Sequence, residues 1–121
     1  MGEEIQRWFD KAKDDLKKAR DNFEMGNYDL TSYLCQQAIE KSLKSVLIKR
    51  TKSFPKIHDL VKLGKSVKLN KDLLEGCKRL NSVYIESRYP DVSSDKFTKE
   101  ESQEDIKITE EILEWAKKQL S

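Results

Sequence analysis

Residues 33–44 read Tyr-Leu-Cys-Gln-Gln-Ala-Ile-Glu-Lys-Ser-Leu-Lys, and the helix that they predict determines the fold of this chain. Helix-forming residues dominate the whole segment from about Asp29 to Arg50, which therefore predicts one long helix. Its apolar face is broader than that of an ordinary surface helix and contains Leu34, Cys35, Ala38, Ile39, Leu43, Val46 and Leu47. A broad apolar face indicates a central helix that contacts several neighbours.

Two long amphipathic helices are predicted on either side of this central one. The first ends at Gly26-Asn27, because glycine readily adopts the left-handed conformation at a helix end. Its apolar stripe contains Ile5, Trp8, Phe9, Ala12, Leu16, Ala19 and Phe23. The last helix is expected from about Lys99 to Leu120, with Ile106, Ile108, Ile112, Leu113, Trp115, Ala116 and Leu120 on one half of its surface.

The region between residues 51 and 98 predicts two further helices. A short third helix is expected over residues 57–63, after the break that Pro55 imposes and before Gly64. Asn70 is a favourable N-cap for a fourth helix, which Pro90 ends, and residues 92–100 form a polar loop. No segment alternates with the period of a strand. We therefore predict one all-α domain over residues 1–121, an antiparallel up-down helical bundle of four long helices plus one short helix.

The composition limits the classes of function. The chain has 24 basic and 22 acidic residues, and a net charge of +2 argues against a dedicated nucleic-acid binder. Two cysteines without CxxC spacing and one histidine do not make a metal site, so we expect no metal and no cofactor. Buried free thiols are the expected state of Cys35 and Cys77, with a disulfide as the alternative. The absence of an apolar run of about 18 residues predicts a cytoplasmic protein without a membrane span or signal peptide.

Four sequence features occur in an order that resembles one known family. They are Trp8…Ala12…Asp15-Leu16…Ala19, the stretch 33–44, then Ile57-His58-Asp59-Leu60, and finally Arg88-Tyr89-Pro90-Asp91. In this order they resemble a HEPN (higher eukaryotes and prokaryotes nucleotide-binding) domain of archaeal or bacterial type. The abundant lysine and glutamate also resemble thermophile composition.

The resemblance implies a helical bundle that is commonly a homodimer and often occurs beside a minimal nucleotidyltransferase. Many such pairs are toxin–antitoxin modules in which the HEPN chain is the RNase, whereas others are described as nucleotide-binding or substrate-binding partners. The RNase branch carries an R-x(4–6)-H motif, in which the arginine and the histidine act on the scissile phosphate and the 2′-hydroxyl.

This motif is absent from the chain. The positions where the histidine would stand are Ser93, Ser94 and Asp95 after Arg88, and Tyr84, Ile85 and Glu86 after Arg79. The one histidine, His58, follows Arg50 with seven residues between them, which is outside the motif's spacing. The RNase role of the family is therefore not implied for this chain.

Three groups of residues are candidates for a nucleotide-binding or partner-binding site. Gln37, Lys41 and Lys44 share one face of the central helix, although charged residues at this spacing usually form a solvated face. His58-Asp59 suits proton transfer or phosphate contact. Alternatively, His58 caps or braces the third helix, and the helix dipole favours Asp59 in its first turn. In the cluster that contains Arg88, Tyr89 and Asp91, arginine suits a phosphate and tyrosine suits a stacked base, but a helix-ending turn with a local ion pair explains them equally well.

Three hypotheses follow from the sequence. In the first, the chain is a noncatalytic, dimeric HEPN protein that binds a nucleotide and a minimal nucleotidyltransferase. In the second, it is a divergent metal-independent RNase toxin in which folding or dimerisation brings His58 and Arg88 together on RNA. In the third, it is a structural dimer whose ligand site is vestigial.

Overall fold

Five helices form the fold in the computed structural model, which describes residues 2–53, 56–83 and 97–121. Their bounds are α1 Glu3–Glu24, α2 Tyr28–Thr51, α3 Leu60–Ser66, α4 Lys71–Asn81 and α5 Lys99–Leu120. No strand occurs in these ranges. The prediction of an all-α bundle is confirmed, and the observed bounds of α2 and α5 lie within one residue of the predicted ones.

Helix α2 is the centre of the bundle and packs against all four other helices. The α1–α2 contact is the most extensive, because small side chains at the contact let the two helices approach closely. Ala12 and Ala38 are fully buried there and pack with Leu16 and Leu113. The main core lies on the other side of α2, where Ile39, Leu43 and Val46 meet α3, α4 and α5.

The interpretation of the polar side of α2 as a solvated face is wrong. Glu40 is 5% exposed and Lys44 is 2% exposed, and Lys41 is only partly accessible. The physical reason is tertiary packing, because Asp15 and Trp8 of α1 contact Lys41 and Lys44. Glu40 in turn contacts Lys44 and His58, which precedes α3.

The helix termini agree with the capping and stop signals in the sequence, except at the start of α3. Gly26 has φ = +80° and ends α1 as predicted, and Asn70 caps α4 by accepting a hydrogen bond from the Leu73 N–H at 2.9 Å. Helix α3, however, begins three residues later than predicted and continues through Gly64 to Ser66. Asp59 is its N-cap and accepts from the backbone N–H groups of Val61 and Lys62, so residues 57–59 precede the helix.

Gly64 serves helix packing in this short helix. A Cβ atom at Gly64 would lie 2.8 Å from Leu74 Cδ1, which is closer than real Cβ contacts come. The absence of a side chain at Gly64 thus leaves room for Leu74 of α4 against α3.

Both cysteines are buried and free, as expected from the sequence. Burial raises the pKa of Cys35 and of Cys77 to about 12, so neither forms a thiolate at neutral pH. None of the helices in the described ranges is long and apolar enough to cross a bilayer.

The Asp59 cap generates a stability prediction. We expect Asp59→Ala to lower the free energy of unfolding by about 1 kcal/mol at pH 7, and Asp59→Asn, which keeps the cap, to lower it by less. The Lys62 N–H, together with the Asn81 side chain and the Val61 N–H, lowers the pKa of Asp59 in the folded state. The charge of Asp59 therefore stabilises the folded state above the unfolded pKa of about 3.9. This stabilisation is lost as the pH falls through the lower pKa that Asp59 has in the folded state.

Urea denaturation at pH 7 and at pH 3 measures both effects. The wild-type protein and Asp59→Asn should become closer in stability at the lower pH. Equal stability of wild type and Asp59→Ala at pH 7 would contradict the assignment of the cap.

Candidate functional site

Charged side chains, three of them buried, lie along the contact of α1 with α2, and we call Lys11, Asp15, Glu40, Lys41 and Lys44 the polar layer. Asp15 of α1 is 3% exposed and accepts a hydrogen bond from the Lys41 ammonium across the interface. Lys11 lies one turn before Asp15 on the same helix, with its Nζ 3.5 Å from the Asp15 carboxylate. Asp15 therefore forms ion pairs with two lysines. The side chain of one of them, Lys11, reaches the surface.

The second half of the polar layer is carried by α2 itself. Glu40 and Lys44 are one helical turn apart, and their Oε2 and Nζ atoms are 3.2 Å apart. Lys44 Nζ also lies 5.7 Å from the centre of the Trp8 ring, so the indole of α1 forms part of the cover over this ammonium. Neither charge is accessible to bulk water, and each therefore depends on its partner.

His58 extends this arrangement to the surface. Its Nδ1 is 3.3 Å from each oxygen of the Glu40 carboxylate, while its side chain is 73% exposed. The contact holds the segment before α3 against α2 and fixes the orientation of the imidazole ring. A ring oriented by a buried carboxylate and open to solvent is suited to contact an anionic group or to transfer a proton.

The remaining candidates from the sequence lie in different places. Gln37 is one turn before Lys41 on α2, is partly buried, and donates a hydrogen bond from Nε2 to Gln36 Oε1 at 2.7 Å. The structure thus brings Gln37, Lys41, Lys44 and His58 to one side of α2, and it places Asp59 beside them as the α3 cap. Arg88, Tyr89 and Asp91 lie outside the described residues, so the proposed pair of His58 with Arg88 stays a prediction.

Arg50, the arginine that precedes His58 in sequence, is held elsewhere. Its guanidinium donates to the Val67 carbonyl and to Gln119 Oε1, and it lies 5.8 Å from the centre of the Trp115 ring. Arg50 therefore connects α2 to the end of α3 and to α5, while His58 contacts Glu40. The two residues do not form an arginine–histidine pair.

A second buried cluster was not predicted from the sequence. Asp105 of α5 is 3% exposed and accepts from Ser32 Oγ at 2.7 Å and from Arg79 Nε at 2.9 Å. Desolvation by burial raises the pKa of Asp105, although the hydrogen bonds from Arg79 and Ser32 oppose the shift. The three residues come from α5, α2 and α4, so this cluster braces three helices. One feature of the sequence indicates this cluster: Asp105 is a carboxylate at an inward position of α5, four residues before the buried Thr109.

The described residues contain no group of three or more His, Cys, Asp or Glu side chains arranged to hold a metal ion. The polar layer offers ammonium and carboxylate groups, and His58 beside it offers an exposed imidazole.

Comparisons with known proteins agree with the resemblance seen in the sequence. The family model for the HEPN domain matches residues 5–120. The solved structure of ST0689, described as an archaeal HEPN homologue, is 30% identical, covers 97% of this chain and 98% of its own, and has a TM-score of 0.78. The structure of TT1696 from Thermus thermophilus is 26% identical, covers 95% and 97% respectively, and has a TM-score of 0.87. A search of curated proteins returned no match.

The buried pair of Glu40 and Lys44 generates a second stability prediction. We expect Lys44→Met to lower the free energy of unfolding by about 3 kcal/mol, because it leaves the Glu40 carboxylate buried without its ammonium partner. The matched control is Lys107→Met, at an exposed position of α5, which should change the stability by less than about 0.5 kcal/mol.

Chemical denaturation of both variants and of Glu40→Met/Lys44→Met measures the coupling. The double variant should recover part of the loss, because no unpaired charge remains. Equal stability of Lys44→Met and Lys107→Met would show that Lys44 is not buried against Glu40.

Proposed function

The chain belongs to the HEPN domain family, and from that premise we propose that it is a noncatalytic HEPN protein, the nucleotide-binding or substrate-binding partner of a minimal nucleotidyltransferase. In this proposal the protein is a cytoplasmic homodimer and the pair forms a module of toxin–antitoxin type. The homodimer and the transferase are proposed from the family resemblance. The binding role has independent support in the polar layer.

The observation that carries the proposal is the environment of the one histidine. Metal-independent RNA cleavage generally uses a group that titrates near neutrality, and imidazole is the side chain suited to that role. The nearest arginine before His58 in sequence, Arg50, is bound to Val67 and Gln119 and does not form a pair with the imidazole. Together with the absence of R-x(4–6)-H, this supports a binding role over cleavage.

The polar layer supports the binding role through its charge. Lys41 keeps its ammonium at the edge of the layer, with a side chain 17% exposed, and Asp15 restrains its position. Lys11, which also contacts Asp15, is at the surface, with a side chain 49% exposed. Restrained cationic groups at a surface bind an anionic partner with a smaller entropic cost than free lysine side chains do.

One observation favours the alternative function, a divergent RNase that uses His58 and Arg88. An exposed imidazole whose Nδ1 faces a buried carboxylate has the orientation of a general base in nucleophilic and acid–base catalysis. This alternative needs Arg88 to approach His58, either in one chain or across a dimer.

Association with a transferase is tested by co-expression with a minimal nucleotidyltransferase encoded beside this chain. Affinity purification through a tag on either protein should recover both in a fixed ratio, and size-exclusion chromatography should show one complex. Recovery of the HEPN chain alone, from cells that contain the folded transferase, would contradict the proposed partnership.

An RNA-cleavage assay separates the two functions. We expect the wild-type protein and His58→Ala to leave a fluorescently labelled single-stranded RNA intact to the same extent in the presence of EDTA. Cleavage by the wild type that His58→Ala abolishes, while Lys107→Met retains it, would establish the RNase alternative.

A further inference from the structure

The charges of the chain are distributed unevenly along its sequence. Residues 49–71 contain eight basic residues and one acidic residue, a charge of +7, whereas the rest of the chain contains 16 basic and 21 acidic residues, a charge of −5. The eight basic residues are seven lysines and Arg50, and all of them are exposed. We call these eight residues the basic surface. The small net charge of +2 is thus the sum of a strongly positive segment and a negative remainder.

The fold places the basic surface on neighbouring elements. Before α3, His58 contacts Glu40 in the middle of α2, and after α3 the Val67 carbonyl accepts a hydrogen bond from Arg50. Helix α3 therefore lies along the second half of α2 and ends where α2 ends. Helix α4 begins four residues after Val67, at Lys71. The cations of the end of α2, of α3 and of the start of α4 consequently share one region of the surface.

No carboxylate neutralises the basic surface at close range. Within the described ranges, none of its eight side chains has a carboxylate oxygen within 4.0 Å. Asp59, the one acidic residue of the segment, caps α3. The lysines of α1 differ, because each of them lies within 4.0 Å of an aspartate on the same helix. The positive potential of the basic surface is therefore directed to the solvent.

Two of the lysines stand at backbone positions that favour other residues. Lys52 at the end of α2 and Lys68 after α3 both have φ = 59°, and among the described residues no other residue except glycine has a positive φ. Gly and Asn are the usual residues at such helix ends, since a Cβ atom is unfavourable in the left-handed conformation. Both lysines thus oppose the local backbone preference, which indicates a role for their charge outside folding.

The residue types of the basic surface favour anionic lipid headgroups over nucleic acid. Clusters of about four to eight lysines or arginines are attracted to anionic bilayers through compact charges on flexible stems. Nucleic acids are commonly bound by arginine forks and by aromatic rings on which bases stack. The one arginine of the basic surface is bound to Val67 and Gln119, and the described part of residues 49–71 contains no Phe, Tyr or Trp.

We propose that the basic surface binds peripherally to a bilayer that contains anionic lipids, with the ends of α2 and α3 toward the headgroups. The contact is electrostatic, because the exposed large apolar residues of the described chain, Met25 and Leu30, lie at the opposite end of α2. Salt screens charges beyond about 8 Å at physiological ionic strength, so the negative remainder of the chain opposes this contact little. The inference goes beyond the proposed function and depends neither on a transferase nor on the polar layer.

Co-sedimentation with lipid vesicles tests the proposal on the wild-type chain. We expect the protein to sediment with vesicles of equal parts phosphatidylglycerol and phosphatidylcholine at about 50 mM NaCl, and to be released at about 0.5 M NaCl, because salt screens the attraction. Vesicles of phosphatidylcholine alone should leave the protein in the supernatant. Absence of sedimentation with the anionic vesicles at the lower salt concentration would overturn the proposal.

A charge-matched pair of double variants locates the contact. Lys52→Asn/Lys68→Asn removes two cations of the basic surface and places Asn where the left-handed conformation favours it, so the melting temperature should be retained or raised. We expect its partition coefficient on the anionic vesicles to fall by about tenfold or more. Lys17→Gln/Lys107→Gln removes two exposed cations outside the basic surface and should change the coefficient by less than about threefold.

Two further results would contradict the lipid assignment. Equal partition coefficients of the two double variants would show that another surface contacts the vesicles. Binding of a labelled single-stranded RNA that Lys52→Asn/Lys68→Asn loses, with unchanged partitioning on vesicles, would assign the basic surface to nucleic acid. Co-purification of the transferase is measured separately, so failure of the lipid proposal leaves the proposed function in place.

Discussion

The burial of α2 on both of its sides is the constraint on which the rest of the structure depends. On one side the burial is apolar, through Ile39, Leu43 and Val46, and the hydrophobic effect drives it. On the other side Trp8 of α1 lies over Lys44, and the burial of Lys44 and Glu40 is tolerated only because the two charges form a pair. The pair of Asp15 and Lys41 adds a requirement for register, since a rotation of α1 by one residue, about 100°, would separate them.

The long helices were predictable because their signal is local. In α1, α2 and α5 the apolar residues recur with the helical period over more than five turns, so no tertiary information is needed. The predicted start of α3 was wrong, because the apolar pattern extends back to Ile57 whereas the helix begins after its N-cap, Asp59. Both the apolar pattern and the capping residue are present in the sequence. In the structure the backbone N–H groups of Val61 and Lys62 donate to Asp59, which makes Asp59 the N-cap.

The site was only partly predictable, because the contacts that define it are tertiary. Gln37, Lys41 and Lys44 share a face as their spacing indicates, but their burial depends on α1, and Asp15 is 26 positions away from Lys41 in the sequence. A charged i, i+4 pair such as Glu40 and Lys44 has the same sequence pattern whether it is solvated or buried. The hydrogen bonds of the second cluster likewise connect three helices, through Asp105, Arg79 and Ser32. The contact between Ser32 and Asp105 spans 73 positions in the sequence.

The central proposal of this account is that the polar layer, with His58 beside it, is the binding surface of the protein. Amide chemical-shift mapping by NMR during titration with ATP tests it most directly, because every helix reports in one experiment. The account predicts that the largest shifts cluster in residues 7–15 of α1 and 37–44 of α2, and that shifts along α5 stay small. Shifts concentrated on α4 and α5, around Asp105 and Arg79, would contradict it.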